Sequence, residues 1–310
     1  MSDFVSQRSI VRSIWGSSDL ILLIFAGSAA EFALNRAVDW LFFTGQIPRD
    51  PIGRLFSTAR YAQEIVFVDE AAAQRTLDRI YSIHKSVEQA RGAQIPDWAF
   101  RDVLYMLIDY SERAHSLLHR PLTEAEREEL YDVFRRVGEG LRIPELPASY
   151  AEWRVDRRLH LERDLEYSEF TRLLFEKYRE HLGGWRYEIL RLTQAELAPE
   201  RVRRLLDITP PPLLFEAFRV YGLLTRLNLQ ELVHRLLLPS RYLGEVRKFD
   251  RRTRSPPARD QSSPLMTRRI SSCNKRLVAS PCPELKSKSP PSVVNVPPAP
   301  SRIGGIGATS

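Results

Sequence analysis

The sequence predicts an all-α fold, and three observations carry that prediction. Apolar residues recur at three- and four-residue spacing through nearly every segment of the body of the chain. Residues that start helices stand ahead of those segments, as at Asp50-Pro51, Asp69 and Thr123-x-x-Glu126. No segment keeps a period-2 alternation between turn signals, so no sheet is expected. The punctuation predicts roughly eight to ten helices in one domain. Residues 1–19 form an N-terminal segment, 20–250 the helical domain and 251–310 a tail; no repeat of fixed period stands out.

The run Leu20-Ile21-Leu22-Leu23-Ile24-Phe25-Ala26-Gly27-Ser28-Ala29-Ala30 predicts the first helix. Glu31 stops it short of the roughly 20 apolar residues that cross a bilayer, so a helix buried in a large core is expected. Asp50 supplies a cap and Pro51 a pre-set φ for the next helix, whose Ile52, Leu55, Phe56, Ala59 and Ala62 carry it to about Val66. Asp69 opens another, with Ala73, Leu77, Ile80, Ile83, His84 and Val87 on one stripe, which puts the imidazole on the buried face. Gly92 and Pro96 end it. A helix from Asp97 to about Leu118 follows, with Val103, Leu104, Leu107, Ile108 and Ser111 inward, stopped by Pro121. Thr123-x-x-Glu126 opens the next, and Pro144 and Pro147 mark a loop. One helix is expected from Tyr150 to about Leu182, another from Trp185 to Leu197 after Gly183-Gly184, and a shorter one after Pro199. A last helix, beyond Pro210-Pro211-Pro212, ends near Leu238.

Charge is divided unevenly. Residues 251–310 hold eleven Lys/Arg against Asp260 and Glu284, a net of +9, which leaves −2 for residues 1–250 of the chain's +7. The basic balance therefore belongs to the tail, and nucleic acid is not an expected partner of the folded body. With no aromatic residue and ten of the twenty-one prolines, the tail cannot bury enough apolar surface to offset its ordering entropy and reads as disordered. It is either a solvated linker or poorly defined gene end, or a basic arm that touches membrane lipid or nucleic acid. Both cysteines, Cys273 and Cys282, fall in it. A cysteine-free body fits a reducing, cytoplasmic setting, with peripheral membrane contact through the tail.

No thiolate is available in the body, so any iron or copper there needs nitrogen or oxygen ligands. The six histidines are His84, His115, His119, His160, His181 and His234. His84 reads as an axial haem ligand on a helix lining an apolar slot, or as a core histidine satisfied by carbonyls. Arg54 and Thr58 share a helix face at i, i+4, two donors that suit a propionate or bound oxygen. Otherwise Arg54 pairs with Asp50 or Glu31, and Thr58 bonds back to its own helix. Glu112-x-x-His115 and Glu231-x-x-His234 have the one-face spacing of a non-haem di-iron site, and His115-x-x-x-His119 that of a zinc chelate without a base between. The aromatic residues Trp40, Trp98, Tyr105 and Tyr110 fit core packing or an apolar pocket. No nucleophile elbow, phosphate-binding loop or dinucleotide glycine motif is present.

Four short motifs occur in order: Asp50-Pro51-x-x-Arg54-Leu55-x-x-Thr58, Ile83-His84, Leu107-Ile108-Asp109-Tyr110-Ser111, and Leu146-Pro147-x-x-Tyr150-Ala151-Glu152. Over roughly residues 20–240 the chain resembles the MpaB/rubber-oxygenase catalytic domain, the family of the latex-clearing proteins. The resemblance implies haem b in an all-α, globin-like core, with dioxygen used to cleave an alkene of an apolar, isoprenoid substrate. By position His84 matches the proximal iron ligand, Arg54 and Thr58 the polar pair of the Arg-x-x-x-Thr motif, and Arg54 and Asp109 supporting groups at the cofactor. The rubber-cleaving branch has a lysine before the threonine; Ser57 stands there, which implies water or dioxygen as the sixth ligand. The carboxylate nearest to that branch's base is Glu31. A further acceptor is expected to hold the second ring nitrogen of His84. The remaining alternative is a non-catalytic helical binding protein without a cofactor.

Overall fold

The computed structural model describes residues 2–43, 45, 49–226 and 230–250. Among them are fourteen helices and no strand, only two isolated bridges, Asp3 to Asp69 and Asn35 to Leu165. In chain order the helices are α1 (Ile10–Trp15), α2 (Ser18–Leu34), α3 (Asp39–Phe43), α4 (Pro51–Val66), α5 (Glu70–Arg91), α6 (Asp97–Leu118) and α7 (Glu124–Gly140). Then come α8 (Tyr150–Arg163), α9 (Glu169–Leu182), α10 (Gly184–Leu197), α11 (Glu200–Leu206), α12 (Leu214–Arg226), α13 (Gln230–Leu237) and α14 (Ser240–Phe249). The predicted tail lies outside the described residues, as do Cys273 and Cys282.

The core is built around α2. Leu20, Ile21, Ile24, Ala29, Ala30, Ala33 and Leu34 are buried, and apolar residues lie around its circumference, so the helix needs neighbours on every side. α6 runs along it, with α1, α9, α10, α11 and α14 against its other faces. Gly27 allows the closest approach. A Cβ there would lie 2.4 Å from the ring carbons of Tyr110 on α6. Among the described residues no helix is long and apolar enough to cross a membrane.

The helix signals around α4 and α5 work as their chemistry requires. Asp50 Oδ1 accepts from Gly53 N at 2.9 Å ahead of Pro51, and Asp69 Oδ1 accepts from Ala72 N at 2.9 Å. α5 ends at Gly92 with φ 68, a left-handed residue whose amide donates back to Gln89 O. The Thr123/Glu126 capping box closes in both directions at the start of α7.

Three expectations fail. The helix expected over Tyr150 to Leu182 is two, broken at Asp164–Ser168 without proline or glycine. Tertiary bonds hold the break: Arg36 N donates to Asp164 O at 3.0 Å and Glu166 N to Leu34 O at 2.8 Å, with Ser168 capping α9. The expected last helix covers α12 and α13, with residues 227–229 between them outside the described residues, and α1, α3 and α14 add to the count. On α5 and α6 the inward stripes are also shifted, with Ile83 and Val103 each 37% exposed. Glu88 and Asp102 are buried instead, because each finds polar partners inside.

Candidate functional site

α4 and α5 pack against each other and bring Arg54 and His84 together. The His84 ring is half-buried and meets Phe100 edge-on, with centroids 5.1 Å apart. Burial, then the positive charge of Arg54, pulls its pKa down to about 4, against a smaller upward pull from Glu88. The imidazole is therefore neutral at physiological pH, the form that binds a metal. Neither ring nitrogen makes a hydrogen bond among the described residues, so none of these supplies the expected second acceptor. His115, His160, His181 and His234 are all tied, to Arg120 O, Asp102, Lys177 O with Arg49 O, and Asp19.

Among the described residues Arg54 is a cation without a carboxylate. Its Nη1 donates to Ser57 Oγ at 2.9 Å and Thr58 Oγ1 at 3.4 Å, both on its own helix. The carboxylates considered for it are engaged elsewhere. Asp50 caps α4 and accepts from Tyr242 OH at 2.8 Å, and Glu31 binds Arg157. Burial pulls the Arg54 guanidinium below its ordinary value, with Tyr61 countering in part. Thr58 does bond back to its helix, through Oγ1 to Arg54 O at 3.3 Å. Arg54, Ser57 and Gly53 also wall a cleft of about 420 Å³ closed on its far side by Tyr242 and Glu245 of α14. Arg54 thus faces two ways, its charge felt at His84 and its side chain lining a cleft that His84 does not line.

Asp109 belongs to a different constellation. Its Oδ1 accepts from Arg113 Nε at 2.6 Å, and its Oδ2 from Arg157 Nε at 3.1 Å and Nη2 at 3.0 Å. Arg157 also grips Glu31 with two bonds of 2.6 and 2.7 Å. Burial alone would raise the Asp109 carboxyl, but Arg113 and Arg157 outweigh it and hold it below its ordinary range. Two acids and two guanidinia balance, which makes this network a charge-neutral brace between α2, α6 and α8. Beside it, Asp102, His160 and Asp164 form a buried cluster.

None of these partners except Asp109 and Glu31 stood out from the sequence. α8 has the composition of a solvated helix, yet it buries Arg157 and His160 and leaves Val155 and Leu159 exposed at 50% and 59%. Only Asp164 one turn after His160 hinted at a paired site. The di-iron residues do not converge. Glu112 accepts from Arg127 Nε at 2.6 Å and Tyr150 OH at 2.7 Å, His115 is held by Arg120 O, and His234 Nε2 lies 2.7 Å from Asp19. The Glu231 side chain lies outside the described residues.

Residues 18–227, from the start of α2 to just beyond α12, match the profile of a family described as ER-bound oxygenase mpaB/B'/rubber oxygenase, catalytic domain. No curated protein matches the chain. The matched span takes in α4, α5 and α6 whole, and with them Arg54 and His84. The chain therefore belongs to the MpaB/rubber oxygenase catalytic-domain family and is an oxygenase.

Proposed function

We propose that the protein is a haem b-dependent oxygenase that uses dioxygen on an apolar, isoprenoid alkene, with His84 as the protein's ligand to iron. The observation that carries this reading is the state of His84: neutral and half-buried, with neither nitrogen committed, beside a guanidinium that lacks a carboxylate. The residues fit the group on both counts. A neutral imidazole nitrogen suits a ferrous or ferric centre, and an unmatched, part-buried cation suits a haem propionate. When bound, the haem would supply the activation of dioxygen.

The chain's own residues perform the remaining tasks. His84 offers its nitrogen without first losing a proton, because Arg54 and burial keep that proton off. Arg54 provides charge-assisted hydrogen bonds to an anionic oxygen, and its bonds to Ser57 and Thr58 limit the directions in which its guanidinium points. Ser57 carries no amine, so nothing from that position competes with His84 for iron. Asp109, proposed from the family pattern as a group at the cofactor, acts through the Arg157 brace and sets the position of α6.

The test is turnover by protein from haem-supplied cells, with a polyprenol and ¹⁸O₂. Cleavage of the double bond puts one labelled oxygen into each of two carbonyl products, read by mass spectrometry. Labelled carbonyls that disappear in His84→Ala support the reading. A haem-loaded protein that consumes no dioxygen across a series of isoprenoid alkenes would overturn the substrate assignment.

A further inference from the structure

Away from His84, a second set of metal-ligating groups meets inside the protein. His160 on α8 and Asp164 at its end stand one turn apart, and Asp102 reaches them from α6; all three are at most 3% exposed. Asp164 Oδ2 lies 3.1 Å from His160 Nδ1, and Asp102 Oδ1 closes on the same nitrogen. One ligand atom from each lies within 4.8 Å of the other two.

Proton and charge counts both leave this cluster incomplete. A ring nitrogen carries at most one hydrogen, so Nδ1 can serve one of its two carboxylates fully and not both. Like charges in a dry interior repel strongly. In direct contact are three carboxylates, counting Asp156 at 3.6 Å from Nε2, and one guanidinium, Arg163. Apart from the imidazole, the formal charges of these groups leave two negative charges.

Each ligating group is also held from behind. Asn35 Nδ2 donates to Asp102 Oδ2 at 2.7 Å, and Arg163 donates to both oxygens of Asp164 at 2.7 Å. Asp156 stands behind the imidazole, fixed by Tyr105 OH at 2.7 Å. Partners placed behind the ligands in this way orient metal-binding side chains.

We propose that Asp102, His160 and Asp164 bind a divalent cation of the kind that accepts one imidazole and two carboxylates, with zinc as the working probe. The ion cancels the two surplus charges and ties α6 to the end of α8 and, through Asn35, to the end of α2. It is independent of the haem reading, since none of its ligands touches His84.

The experiment uses the full chain, stripped with EDTA and titrated with Zn²⁺ alone by calorimetry, with zinc per chain read by elemental analysis. One zinc per chain and a higher Tm are expected. Asp102→Asn and Asp164→Asn should lose stoichiometric zinc, and Asn35→Ala should weaken binding by about 10- to 100-fold. His84→Ala should keep its zinc while losing haem, which separates the two claims. Should the asparagine variants not fold, zinc-edge X-ray absorption of the wild-type protein decides. A nitrogen and oxygen shell with an imidazole signature supports the site; a sulfur-containing shell overturns it. So would a stripped wild-type chain that takes up no zinc, or zinc retained in the folded double variant.

Discussion

At the scale of single residues, chemistry follows from which charges find partners. An ordinary imidazole titrates near 6.5, whereas His84 is held down to about 4. Between those values the unfolded chain binds the proton that the folded chain refuses. His84 therefore costs no stability above about pH 6.5, costs progressively more as pH falls toward 4, and adds nothing further below that. Arg54→Met removes the second cause of the shift, so the His84 midpoint in haem-free protein should rise from about 4 toward 6.5, followed by ¹H–¹⁵N NMR of the ring. An unmoved midpoint would mean that the Arg54 charge does not reach the ring. Arg157 is the opposite case, a cation with two carboxylates. Arg157→Met leaves Glu31 buried and unmatched and Asp109 with Arg113 alone, and urea unfolding should show a loss of about 3–5 kcal/mol. A loss below about 1 kcal/mol, the range of exposed pairs, would contradict the brace. The sequence made His84 and Arg54 legible because a rare residue type sat at helical spacing beside a capped helix. Arg157 and His160 stayed hidden, since charged residues on a charged helix read as a solvated face until their partners on other helices are known.

At the scale of elements, local signals set the boundaries wherever they are self-sufficient. The Asp50-Pro51, Asp69 and Thr123/Glu126 starts and the Gly92 stop all act through atoms within a few residues, so their helices begin and end where the sequence places them. Thr123→Ala should cost about 0.5–2 kcal/mol in thermal unfolding, through loss of the side-chain bond to Glu126 N. The Asp164–Ser168 break could not be read this way, because its bonds reach to Leu34 and Arg36, far off in sequence. Contact between α2 and α6 sets a similar test. Gly27→Ala drives a methyl group into the Tyr110 ring and should destabilise by about 1–3 kcal/mol. An unchanged Tm would show that the two helices separate without cost.

Over the whole molecule, fold class was legible because helical periodicity is repeated in nearly every segment, while the number of helices depended on tertiary breaks. Charge distribution gives a prediction at this scale. A chain ending at Asp250 loses a net of +9 and keeps every described helix. It should unfold at the same Tm as the full chain but no longer bind a cation exchanger at neutral pH; a large fall in Tm would assign the tail a structural part. The family places an oxygenase here, and its proposed cofactor rests on one uncommitted imidazole. A pyridine hemochrome assay on protein from haem-supplied cells tests that claim most directly. One haem b per chain with a Soret band is expected, lost in a folded His84→Ala variant. A colourless wild-type protein, or full haem retained without His84, would contradict it.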